Sequence, residues 1–255
     1  MHRFLITAVT AAAVLFGAGP ASAAEETAEL PDIEWTFEGP FGHFDRAQLK
    51  RGFQVYREVC SSCHGLKRVA YRNLADLGFT ESEIAEIAGE YEVEDGPDDE
   101  GEMYFREALA SDHFVPPFPN DQAARLANGG ALPPDLSLIV KARKGGADYI
   151  HALLAGYEDE APEGVELGDG MYYNAYFPGH QIAMPPPLFE DGIEYEDGTE
   201  ASIDQMATDV STFLAWTASP ELEARKRLGL KVLIFLVVLT GMLYALKRQI
   251  WSKVH

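Results

Sequence analysis

The chain has 255 residues, 41 of them acidic and 20 basic, for a formal net charge of −21. A charge of that sign disfavours nucleic acid as a partner and favours a basic protein or simple solubility. Only two cysteines are present, so each has no partner except the other or a ligand held by both.

Residues 1–23 read as an export signal. His2 and Arg3 precede an apolar run from Phe4 to Phe16, and Ala21-Ser22-Ala23 forms a small-residue cleavage site. The run is short and ends in Gly17, Gly19 and Pro20, which argues against a retained anchor. Residues 24–219 have the size of one domain. Within it, Asp45 is the predicted N-cap of a helix carrying Leu49, Phe53, Tyr56 and Cys60 at i, i+4, i+7 and i+11. Gly52 on that helix permits close approach of another helix.

The helix delivers Cys60-Ser61-Ser62-Cys63-His64 at its C-terminal end. A C-x-x-C-H run is the signature of covalent c-type haem attachment. The two thiols add to the two haem vinyl groups, and His64 ligates the iron from one face. The competing reading is a redox disulfide with a histidine beside it by chance. Export agrees with the haem reading, because c-type haem is attached outside the bacterial cytoplasm.

Acid then clusters at 81–102, 158–160 and 190–200. Such runs are usually solvated loops, although a redox protein also needs a steered, transient partner that acids can dock. The stretches 86–102 and 156–180 are rich in Gly, Pro and acid and are predicted surface excursions. Asp135 to Lys144 is a predicted helix, entered by Pro133-Pro134 and stopped by Gly145-Gly146. No run alternates convincingly enough to predict a strand. Ser202-x-x-Gln205 is a predicted capping box, opening a helix with Met206, Val210 and Phe213 on one face that reaches Trp216. Ser219-Pro220-Glu221 is predicted to restart a helix with proline at its first position.

This last helix passes through a basic segment, 220–227, into the apolar run Leu228–Leu246. That run is close to the roughly 20 residues a helix needs to cross a bilayer. Lys231, near its start, can snorkel to the interface. Arg225-Lys226-Arg227 on one side and Lys247-Arg248 with Lys253 on the other are nearly balanced, so flanking charge does not orient the span. The export signal does: the body leaves first, the helix stops transfer, and the tail 247–255 stays in the cytoplasm.

A haem with histidine on one side needs methionine, histidine or an open site on the other. Of six methionines, Met1 lies in the signal, Met242 in the span, Met206 on a core face and Met103 in an acidic loop. Met184, in Gln181-Ile-Ala-Met-Pro-Pro-Pro-Leu188, is favoured, because the prolines preset the backbone around the thioether. Met171, in a Gly-rich aromatic loop, and His180 remain open as rivals. His43, His113 and His151 read as surface or core residues.

Several further stretches make the chain specific. They are Arg51-Gly-Phe-Gln-Val-Tyr56, Ala127-Asn-Gly-Gly-Ala-Leu-Pro-Pro-Asp-Leu-Ser137, Lys141-Ala-Arg-Lys-Gly-Gly-Ala-Asp-Tyr149, Tyr173-Asn-Ala-Tyr-Phe-Pro-Gly179, Ile182-Ala-Met-Pro-Pro, Phe213-Leu-Ala-Trp216 and Arg225-Lys-Arg-Leu-Gly229. In this order, with a C-terminal anchor, they resemble the cytochrome c1 family, the haem subunits of cytochrome bc1 complexes, and look alphaproteobacterial. The resemblance implies a mainly α fold, a class I c-type cytochrome haem domain with long loop insertions plus one C-terminal transmembrane helix. It implies one covalent haem c with His64 and Met184 as iron ligands. It places Asn128, Gly130, Ala131, Pro133, Pro134, Ile139, Tyr149, Leu153, Phe177 and Ile182 around the haem, and Arg143 on a propionate.

Its functional implication is single-electron transfer from a Rieske iron–sulfur protein to a soluble or membrane-tethered cytochrome c, beside cytochrome b in a dimeric multi-subunit complex. The haem domain would face the periplasm from the bacterial inner membrane. Such a chain is not an enzyme by itself. Some bacterial relatives have an extra cysteine pair in a long loop, and this chain lacks it. Three alternatives stand beside this reading: a membrane-anchored subunit of a terminal oxidase, a peroxidase with a labile sixth ligand, and a haem-free thiol–disulfide protein.

Overall fold

In a computed structural model the described residues are 28–252, so the expected export signal at 1–23 lies outside them. Helix α1 (Arg46–Val55) begins as expected: the Asp45 side chain accepts from the Gln48 backbone N–H at 2.9 Å. Its C-terminal end widens into a π-turn, Tyr56–Cys60, in which Ser61 N donates to Tyr56 O at 2.8 Å. Such single turns often mark functional sites. This one carries the chain directly into the cysteine motif.

Helix α1 crosses α6 (Ile203–Ala218) at Gly52. A Cβ there would sit 2.1 Å from the Asp209 backbone oxygen and 2.7 Å from the Phe213 Cβ. Only glycine allows this approach. Around it lies an aromatic core: Phe53 is 5.8 Å from Phe213, which is 5.7 Å from Tyr56 and 5.7 Å from Trp216. Met206, Val210, Phe213 and Trp216 are all buried, as the spacing predicts. Burying each large side chain of this kind contributes about 1.5–3 kcal/mol. Across the same crossing, buried Asp209 accepts two hydrogen bonds from Arg51, at 2.8 and 3.2 Å, and Arg51 also reaches Asp197 at 3.0 Å. Hydrogen bonds within the Thr199 turn, with Arg51 behind them, hold the Asp197 carboxyl down to about 2.

Several features depart from the sequence expectations. The helix expected over Asp135–Lys144 shrinks to α4 (Ile139–Ala142). The Asp135 carboxylate accepts from Lys67 N at 2.8 Å and Ser137 N at 3.0 Å, and Leu136 N donates to Gly65 O at 2.9 Å. These bonds draw the first residues into an extended strap instead of a helical turn. Helix α4 ends before the expected Gly145-Gly146 stop, at Ala142 with Arg143 extended, and Gly145, with φ of 91°, is instead the N-cap of an unforeseen helix, α5 (Gly146–Ala155), which packs on α6.

Strands also occur. β1 (Glu92–Asp95) pairs antiparallel with β2 (Tyr104–Glu107), and β3 (Tyr172–Tyr173) with β4 (Gln181–Ile182). In the first hairpin Arg106 bridges Asp95 and Asp112 and holds both carboxyls below the usual carboxylate range. Of the capping box expected at α6, the Ser202 half forms, with Gln205 N donating to Oγ at 3.2 Å. Finally, Pro220 occupies the turn before α7 (Leu222–Trp251) and not its first position. The sequence leaves two short helices unmarked, α2 (Glu81–Gly89) and α3 (Asp121–Ala127).

Helix α7 continues unbroken through the basic segment and the apolar run. Its 30 residues extend about 45 Å at 1.5 Å per residue, longer than the roughly 30 Å hydrocarbon core. Its most apolar window has a mean hydropathy of 2.2 and is not buried against the rest of the chain. It is the one such helix among the described residues.

Candidate haem site

The cysteine motif folds as a tight loop closed on one carbonyl. Cys63 N donates to Cys60 O at 3.2 Å and His64 N to the same oxygen at 2.9 Å. Ser61 Oγ bonds Arg57 O at 2.7 Å, and Tyr56 Oη bonds His64 O at 3.0 Å. Cys60 and Cys63 are half-buried and not bonded to each other. Burial, with Cys63 nearby, pushes the Cys60 thiol up to about 12.

His64 is set by its other ring nitrogen. Nδ1 lies 2.8 Å from Pro134 O. A carbonyl only accepts, so Nδ1 carries the proton and Nε2 keeps its lone pair. Burial lowers the His64 pKa, which keeps the ring neutral. Fixing the tautomer through the distal nitrogen is how proteins orient a metal-binding histidine. The strap that supplies Pro134 is itself anchored: Arg68 N donates to buried Ser137 Oγ at 3.1 Å, and Thr217 of α6 bonds Ser137 O at 3.4 Å. Leu132 and Leu138 on the strap and Leu126 before it stay substantially exposed. Two free thiols, an oriented imidazole and uncovered apolar side chains beside them fit a c-type haem.

Met184 belongs to a second assembly. Buried Asn174 donates to Leu153 O at 2.8 Å and accepts from Tyr176 N and Phe177 N, each at 3.1 Å. This pins the β3–β4 segment to the end of α5. Tyr157 Oη then bonds the Met184 carbonyl at 3.0 Å, leaving its side chain half-buried. The rivals are placed differently. Met171 is 40% exposed. His180 has φ of 57°, stacks on Tyr173 at 5.8 Å and closes the hairpin turn through its backbone.

The other expected residues fall into three groups. Asn128 caps α3 by donating to Ala124 O at 2.7 Å, and Gly130 and Ala131 follow in its turn. Ile139 and Tyr149 join the main core, with Leu153 packed against it. Ile182 is buried in the β3–β4 unit and Phe177 half-buried in its turn. Arg143 is exposed, its only side-chain bond among the described residues a long one to Ala142 O at 3.3 Å, so its guanidinium is free for a carboxylate. Sequence reasoning missed Tyr157, Asn174 and Asp135. Only Asp135 left a signal, as the first residue of an Asp-x-Ser turn.

A mainly helical domain with this motif and one bare apolar C-terminal helix is a c-type haem protein. The cytochrome C1 family model matches residues 35–254. A cytochrome c1 from Rhodospirillum rubrum is 54% identical over 96% of this chain and 96% of its own length. The mitochondrial cytochrome c1 haem protein of Saccharomyces cerevisiae is 54% identical over 91% of this chain and 73% of its own. A protein named cytochrome b/c1 from Bradyrhizobium diazoefficiens is 46% identical over 98% of this chain, which spans 40% of that longer protein. The chain therefore belongs to the cytochrome c1 family.

Replacing Cys60 or Cys63 by serine removes one thioether. Each variant is expected to retain much less haem on a denaturing gel stained for peroxidase activity, and the double variant none. Full staining of the double variant would refute covalent attachment at these thiols.

Proposed function

We propose that this chain is the mono-haem electron-transfer subunit of a cytochrome b–c1 complex, taking single electrons from a Rieske iron–sulfur protein and passing them to a soluble or tethered cytochrome c. The observation that carries the reading is the His64–Pro134 bond, which presents Nε2 of a neutral imidazole beside two unpaired thiols. In this reading His64 and Met184 would hold the iron, and Arg143 would meet a propionate as a bidentate donor. Held by two protein ligands, the haem would supply one-electron chemistry in preference to oxygen chemistry. His64 stays in one tautomer throughout, because its proton is held by a backbone carbonyl. Asn174 and Tyr157 keep the Met184 backbone in place, so little structure has to rearrange when charge arrives.

The name of the Bradyrhizobium protein, which joins b and c1, supports cytochrome b as neighbour. Export followed by a stop at α7 would put the haem domain in the periplasm of a bacterial inner membrane and the C-terminus in the cytoplasm.

Purification of the tagged chain from native membranes in mild detergent tests this. Cytochrome b and a Rieske protein are expected to co-purify with inhibitor-sensitive quinol:cytochrome c activity. An oxidase core in their place would overturn the assigned complex while leaving the haem chemistry standing.

A further inference from the structure

One loop of the domain is held at the foot of α7 with its apolar tip uncovered. It runs from Phe37 to Phe44 and is closed at its base by Glu38 N to Trp35 O at 3.0 Å and His43 N to Thr36 O at 2.9 Å. Buried Phe37 and Phe44 pack together at 5.0 Å and form its floor. The tip is Gly39-Pro40-Phe41, with Gly39 at φ of 65°. Phe41 is 80% exposed. Among the described residues no contact accounts for an aromatic side chain this exposed.

The loop's direction follows from its bonds to α7. Phe44 N donates to Glu223 Oε1 at 3.0 Å, and Arg46 pairs with the same carboxylate at 2.9 Å. Lys226 Nζ ties both legs of the loop, donating to Phe37 O at 2.6 Å and to Gly42 O at 3.1 Å. Glu223 and Lys226 are three residues apart, about 4.5 Å along the axis. The loop is therefore braced on the turn of α7 just before Leu228, where the apolar run begins, and Phe41 lies one residue from Gly42. Exposed Arg225 and Arg227, in no ion pair among the described residues, flank this level with positive charge. Anionic headgroups attract such residues. Pro40 lacks an N–H and so has no donor to lose from water.

We infer that the Gly39–Phe41 tip seats Phe41 in the headgroup region of the lipid bilayer, as a second membrane contact that fixes the angle of the haem domain on its anchor. This rests on the proposed reading of α7 as a membrane span. An exposed apolar ring gains by burial at the headgroup–acyl boundary, where interfacial Trp, Phe and Leu side chains insert. A single helix leaves a domain free to tilt, and a contact displaced from its axis removes that freedom. The Lys226 and Glu223 bonds are the strut that transmits the constraint.

The test uses the full, haem-loaded chain in nanodiscs of phosphatidylcholine and phosphatidylglycerol. Phe41→Cys provides a free thiol for a nitroxide, since Cys60 and Cys63 are occupied by haem. Power saturation, taken against a nitrogen baseline with the haem oxidised, compares access to lipid-soluble oxygen and a water-soluble nickel chelate. Glu94→Cys serves as the water reference and Val238→Cys as the mid-helix reference. The expected result is an oxygen-to-nickel ratio at position 41 well above that at 94 and below that at 238. A ratio at 41 equal to that at 94, with 238 still lipid-like, would overturn the inference alone. So would poor access of both reagents to 41, which would place the tip against protein. Nickel access at 238 would overturn the anchor reading, and the inference with it.

Discussion

Replacing Met184 by leucine is expected to lower the reduction potential by on the order of 0.1 V or more, well within the roughly 0.8 V that axial ligation spans. The methionine–iron charge-transfer band in the red should vanish, and the ferrous form should begin to bind carbon monoxide. A neutral thioether favours ferrous over ferric iron, and leucine offers no lone pair to replace it. Leucine and methionine have similar volumes, so the exchange should cost less than about 1.5 kcal/mol in packing. The bond from Tyr157 reaches the backbone carbonyl of residue 184 and survives the substitution. The spectral loss is thus separable from misfolding. Met171→Leu should be silent, since that side chain is an exposed member of a Gly-rich loop. An unaltered band and potential in Met184→Leu, with loss of the band in Met171→Leu or a histidine-type shift traced to His180, would remove Met184 from the iron.

The contrast between His64 and Met184 shows what a sequence of this kind discloses. A C-x-x-C-H run is local, so five neighbouring letters carry the attachment chemistry. Asp45 as a cap and Gly52 as a crossing point are legible for the same reason: Asp45 acts on its own first helical turn, and Gly52 acts by lacking a Cβ. The Pro134 carbonyl acts across 70 residues on His64, and no local pattern marks a carbonyl as an acceptor. Asn174 is similar. It is fully buried and organises two segments through its amide, yet in the sequence it resembles any loop asparagine. The false helix over Asp135–Lys144 has the same origin. Its side chains suit a helix, but its backbone donors are spent on Gly65 and on the Asp135 turn. The β1–β2 hairpin was hidden because Glu92, Glu94 and Asp95 in β1, and Glu107 opposite Glu92, are types depleted in strands. Arg106, by joining Asp95 and Asp112, supplies the compensation.

Arg51→Ala is expected to destabilise the domain by about 3–5 kcal/mol, the usual cost of stripping the partner from a buried charge. Asp209 is fully buried in the α1–α6 crossing, and Arg51, only 18% exposed, is its sole cationic partner among the described residues. Removing the guanidinium leaves a carboxylate where it can neither reach water nor find another donor of equal strength. The Arg51–Asp197 contact is different. Asp197 is 43% exposed, and Asp197→Ala should cost no more than about 1 kcal/mol, as surface pairs do. Replacing both members of the buried pair, as Arg51→Met with Asp209→Leu, should recover most of the loss, because well-packed apolar side chains avoid the desolvation of both charges. Urea unfolding of the haem-loaded chain in detergent, followed through the haem absorbance, compares the four proteins. A loss below about 1 kcal/mol for Arg51→Ala would show that the Arg51–Asp209 pair does not stabilise the crossing. The same crossing also carries function. Because α1 ends in the π-turn that presents Cys60, slack introduced at Arg51 should broaden the haem spectrum before the domain unfolds, whereas Asp197→Ala should leave that spectrum sharp.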